Sequence, residues 1–129
     1  TNPSHPVMAG MLDKANVFVY SSPVFSTEDG FEGEVLARYQ TQGSPLMSGY
    51  LVGESYMNGN AAALDVKHGK GHVLLFGFQP QWRGQPMGTY RTLFNALLYA
   101  NQLPQAKRVI PEDWESVKIK TAEPQSDKD

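Results

Sequence analysis

The run from Ala61 to Asn101 constrains this chain more than any other part of it. Ala61 to Val66 and His72 to Phe78 read as strands, and His68-Gly69-Lys70-Gly71 between them reads as a hairpin turn, because glycine supplies the positive φ of a tight turn. Val73 to Phe76 is continuously apolar, the pattern of a strand covered on both faces. A polar loop, Gln79 to Gln85, then leads into a helix over about Met87 to Ala100. Tyr90, Leu93, Phe94, Leu97 and Leu98 fall on one stripe at helical spacing, so the spacing predicts that Leu93, Phe94 and Leu97 anchor the core against Val73 to Phe76. Pro86 suits the start of that helix, and Asn101 and Pro104 its end.

The upstream part is more broken. Val7, Met8 and Met11 read as the inward side of a short helical turn. Val17 to Tyr20 reads as a short strand closed by Ser21-Ser22-Pro23, and Glu34 to Tyr39 as an alternating strand. Leu46 to Gly49 reads as a further short strand. The expected organisation is an α/β domain over residues 1–104, with a small mixed sheet, a Gly-rich hairpin and one long helix. Residues 105–129 form a polar tail, with Val117 to Lys120 docked as an edge strand.

With 129 residues and 40% hydrophobic positions, the chain fits one domain with a modest core. No apolar run approaches the roughly 20 residues needed to cross a bilayer, so no membrane span is expected. The net charge of −2 and the absence of a clustered basic patch argue against a nucleic-acid surface. There are no cysteines, which removes disulfides, thiolate metal sites and a Cys nucleophile, and suits an exported protein.

The chain shows no metal-ligand motif. His68 and His72 are four apart but across a hairpin, and they read as solvated turn residues. No His-x-x-Glu or His-Glu-x-x-His pair is present, whereas a catalytic zinc needs about three protein ligands. Gly69-x-Gly71 leads into a strand and not a helix, unlike a phosphate loop. No Ser stands in a nucleophile elbow. The expected catalytic set is therefore empty, as is the set of metal ligands and cofactors in this chain. The loop before the helix is the candidate ligand site. It lies at the carboxyl end of a buried strand, where α/β sheets bind ligands. Trp82 offers an aromatic face, Arg83 a forked donor and Gln85 an amide. The same residues could instead brace the loop.

The hairpin–strand–loop–helix run resembles the C-terminal domain appended to a branch of bacterial zinc metallocarboxypeptidase-like proteins. The resemblance rests on Gly69, Gly71, Val73, Leu75 to Phe78, Gln81, Arg83 to Gln85, Gly88-Thr89 and Leu93 to Leu97. His5-Pro6 through Gly10, Tyr39, Ser48-Gly49-Tyr50 and Gly53-Glu54 are similar too, so it covers Pro3 to Asn101. That domain looks like a class I glutamine amidotransferase-like, flavodoxin-like fold, of which this chain would be the C-terminal half. The resemblance implies a nucleophile elbow upstream of His5 and zinc ligands further upstream still. It thus implies a non-catalytic accessory domain of a putative exported hydrolase, with zinc in the parent catalytic domain and that domain as partner. Two alternatives stand beside it: a small-molecule or carbohydrate-binding module using Trp82, Arg83 and Gln85, and an interaction domain that forms a homodimer.

Overall fold

The computed structural model describes residues 1–99. The predicted docking of 105–129 lies outside the described residues. Within them the fold is α/β: a three-stranded sheet and a helical segment running from residue 87 to residue 99. Strand β1 is Gly33–Arg38, the short helix α1 is Glu54–Met57, β2 is Ala61–His68, β3 is Gly71–Phe76 and helix α2 is Tyr90–Tyr99. Two 3-10 turns accompany them, Pro6–Met8 and Met87–Thr89.

The sheet order is β1-β2-β3, antiparallel at both pairings. The hairpin forms where the glycines predicted it. His68 pairs with Gly71, and Gly69 takes φ 58° between them. Its register sets Leu64 opposite Leu75 and Asp65 opposite Leu74. The central strand β2 is rich in alanine, and Ala61, Ala62 and Ala63 are all buried. Side chains this small let neighbouring segments approach closely. Phe25 accordingly pairs by backbone with Ala61 at 3.0 and 2.8 Å. Strand β1 is irregular around Leu36, where the register shifts. The Leu36 carbonyl accepts instead from the N–H of Asn2 at 2.8 Å, which draws the chain's first residues onto the β1 edge.

The core gathers Val7, Met8, Leu36, Ala37, Tyr39, Met57, Ala62, Ala63 and Phe78. The turn at Pro6–Met8 is inward as expected, with Val7 and Met8 almost wholly buried. The segments 16–20 and 46–49 form no strand. The first runs beside Phe78-Gln79 without regular pairing, and its Phe18 carbonyl accepts from the Gln79 N–H at 2.8 Å.

Helix α2 corrects the sequence reading. Its apolar stripe faces away from the sheet: Phe94 is 56% exposed, and Leu97 and Leu98 are each 72% exposed. The buried positions are the polar Thr92 and Asn95. The reason lies in hydrogen bonding. Asn95 donates through Nδ2 to the Val7 carbonyl at 3.1 Å and the Ala9 carbonyl at 2.9 Å, at the end of the Pro6–Met8 turn where those oxygens lack helical partners. Thr92 Oγ1 donates back to the Thr89 carbonyl at 2.7 Å. Buried carbonyls that would otherwise stay unpaired decide which side of the helix faces in. Val73 differs likewise. Its 43% exposure shows that β3 is not covered on both faces, and among the described strands β3 stands at the sheet edge.

Candidate functional site

The most closely built polar cluster was not visible as a motif. Asp65, in the otherwise apolar run of β2, is buried. Its Oδ1 accepts from His72 Nδ1 at 2.7 Å, and its Oδ2 accepts from His5 Nε2 at 3.1 Å. All three side chains are nearly inaccessible. Asp65 and His72 meet because the hairpin register places Leu74 opposite Asp65 and His72 two residues before Leu74, on the same face of the sheet. His72 is thus no solvated turn residue, while His68, on the turn itself, is exposed as expected.

His5 enters from the N-terminal segment as the cap of the Pro6–Met8 turn. Its Nδ1 accepts the Val7 N–H at 3.2 Å, so a neutral ring carries its proton on Nε2 and donates it to Asp65. Both nitrogens of His5 are therefore engaged. A general base needs a free lone pair aimed at the proton it removes, and His5 has none to offer. The cluster is a clamp that binds the N-terminal turn to the middle of the sheet. Among the described residues, no group of three His, Cys, Asp or Glu side chains is arranged to hold a metal ion.

Of the predicted ligand residues, Trp82 and Arg83 stay together and only Gln85 reaches a groove. Trp82 stacks on Phe18 and Tyr20, with ring centroids 6.4 and 6.3 Å away. The Arg83 guanidinium lies 5.3 Å from the Trp82 ring centroid, a cation–π placement. Arg83 itself adopts φ 46°, the left-handed region that L side chains rarely take. Gln85 has its backbone N–H on the Trp82 carbonyl at 2.8 Å, closing the loop as a turn. The brace of this loop is a residue sequence reasoning passed over, Gln79. Its Oε1 accepts from the Tyr20 N–H at 3.2 Å and from Ser22 Oγ at 3.0 Å, and its Nε2 donates to the Tyr20 carbonyl at 3.1 Å. Thr89 Oγ1, 2.9 Å from the carbonyl of Pro80, holds the other end against the helix start.

Of the three predicted residues only Gln85 lines a groove among the described residues. This is an open groove of about 900 Å³ between the segment 10–16 and the start of the helical segment. Lys14, Asn16, Gln85 and Arg91 give it polar groups; Met11, Pro86, Met87 and Phe94 give it apolar ones. Gly10 meets Arg91 there: a Cβ on Gly10 would stand 2.5 Å from Arg91 Nη1, so the missing side chain is what admits the guanidinium. The sequence signal for this groove was the loop-to-helix junction; what was missed is that the segment 10–16 forms its other wall.

Comparison with protein-family models, curated proteins and solved structures gave no match.

Proposed function

We propose that this chain is a non-catalytic accessory domain that docks through the outer face of α2, and that its partner is a zinc carboxypeptidase-like catalytic domain of the same polypeptide. The observation that supports docking is the reversed amphipathicity of α2. Phe94, Leu97 and Leu98 stand in solvent while Thr92 and Asn95 are buried. Runs of exposed large apolar side chains on one face mark contact surfaces. The identity of the partner, its zinc and an exported location rest on the sequence resemblance alone. The engagement of both His5 nitrogens supports a role without chemistry at the clamp.

The test has two stages. The open reading frame upstream of Thr1 should encode His-x-x-Glu and a later His. That catalytic domain and this chain, expressed separately, should form a one-to-one complex by light scattering, and Leu97→Glu with Leu98→Glu should abolish it. A stable interface of this kind buries more than about 1,000 Å². A complete frame without those ligands, or two domains that stay apart, overturns the reading. A homodimer dissolved by the same substitutions would favour the self-associating alternative.

A further inference from the structure

The groove beside the start of α2 carries a charge pattern opposite to that of the whole chain. The protein is net −2, yet the charged side chains lining the groove are Lys14 and Arg91, both cationic, with no carboxylate among them. Among the described residues no carboxylate lies within ion-pair distance of either cation. Arg91 is also placed against the field of its own helix. It sits in the first turn of α2, which has no acidic residue. A cation at a helix N-terminus is disfavoured, and an anion beside it relieves that penalty. Its guanidinium packs over Gly10, where any side chain would collide with it. A site for an anion alone would need no apolar wall, but here Met11, Leu12, Pro86 and Phe94 line the same space. A planar carboxylate matches the guanidinium fork in two parallel hydrogen bonds, and an attached apolar group has the hydrophobic wall to cover.

We propose that this groove binds a small carboxylic acid bearing one apolar group, its carboxylate on Arg91 and Lys14 and its apolar group against Met11, Pro86 and Phe94. Gln85 and Asn16 supply amides at the rim. The site is separate from the clamp of His5, Asp65 and His72. It shares Phe94 with the outer face of α2, but Leu97 and Leu98, the residues that test docking, do not line it, so the two readings fail separately when the isolated chain is titrated.

N-acetyl-L-phenylalanine is the probe, titrated into isotope-labelled chain and followed by amide chemical shifts. Three comparison ligands separate the chemistry: its neutral carboxamide, acetate and inorganic phosphate. The expected result is saturable shifts at Lys14, Gly88 and Arg91. The carboxamide and acetate should each bind at least roughly tenfold more weakly, the factor expected when a charge-assisted hydrogen bond or an apolar group is lost. Arg91→Gln and Lys14→Gln should each weaken the acid about tenfold and leave the carboxamide unchanged. Gly88 has open space around its Cα, so Gly88→Leu should fill the groove and block the acid without unfolding the chain. Lys14 is an exposed loop residue with no hydrogen bond or ion pair among the described residues, so its variant keeps the test interpretable if Arg91→Gln disturbs the packing on Gly10. Equal binding of acid and carboxamide overturns the proposal, as does phosphate matching the acid. Shifts elsewhere, or none at millimolar probe, overturn it as well.

Discussion

The orientation of α2 yields a sharp prediction, because the hydrophobic pattern and the hydrogen bonds point opposite ways. The perturbation is a pair of substitutions one residue apart, Phe94→Ala and Asn95→Ala. Phe94 is 56% exposed and its ring contact is an edge-on approach to Tyr90 at 6.5 Å. Full burial of such a side chain contributes about 1.5–3 kcal/mol; with less than half of that burial present, truncation should cost about 1 kcal/mol. Asn95 is 9% exposed and makes two hydrogen bonds, at 3.1 and 2.9 Å. Each contributes about 1 kcal/mol net, and a buried acceptor left unpaired costs about 1–3 kcal/mol. Val7, whose carbonyl would lose its partner, is fully buried. Asn95→Ala should therefore cost about 2–3 kcal/mol. Urea unfolding of the isolated chain, followed by circular dichroism with a common slope, measures both. If Phe94→Ala costs more than Asn95→Ala, the apolar stripe faces the core after all and the account of the helix fails.

Three further outcomes follow from the packing. Asp65→Asn removes the charge shared by His5 and His72 while keeping the volume. An amide offers one acceptor where the carboxylate paired two histidine donors, and a buried donor left unpaired should cost about 1–3 kcal/mol by chemical denaturation; a change below about 0.5 kcal/mol would show the clamp to be dispensable. Tyr39 is buried with its hydroxyl on the Gly77 carbonyl at 3.2 Å, and that burial raises its pKa above the usual phenol value of 10.0. Its protonated form is favoured in the folded state, so this contribution is fully present below pH 10 and is lost as pH rises through the raised folded value. Tyr39→Phe should flatten the alkaline fall in stability and cost about 1 kcal/mol at neutral pH. Gly77→Ala would press a methyl group into the Pro23 carbonyl oxygen, with the Ala62 carbonyl 3.2 Å away on another side. Backbone atoms cannot swing aside, so its melting temperature should fall by at least several degrees.

Local signals carried the hairpin, the α/β class and the inward turn at Val7-Met8, because each depends on glycine φ or on a short apolar pattern. The direction of α2 was not legible. Periodicity locates a stripe but does not say whether the domain or a partner covers it, and the deciding bonds join Asn95 to carbonyls near the other end of the chain. The clamp was partly legible. An aspartate inside Ala61 to Val66 needs a buried partner, and the two-residue turn puts His72 within reach of it. His5 was not, since nothing local ties it to a residue 60 positions away. The groove was half legible: Gln85 belongs to it, whereas Trp82 stacks on Phe18 and Tyr20 and holds Arg83 against its own ring.

The clamp also sets an order of events in synthesis. Within the described residues the turn at Pro6–Met8 is made before the polar groups that clamp it: Asp65 for His5, and Asn95 for the Val7 and Ala9 carbonyls. Contacts of such sequence separation close slowly, because the loop entropy is lost before they form. Val7 and Met8, the most deeply buried apolar pair near the N-terminus, therefore stay uncovered until α2 has emerged. A nascent chain whose α2 is still inside the ribosome would present that pair to chaperones, and one whose α2 has emerged would not.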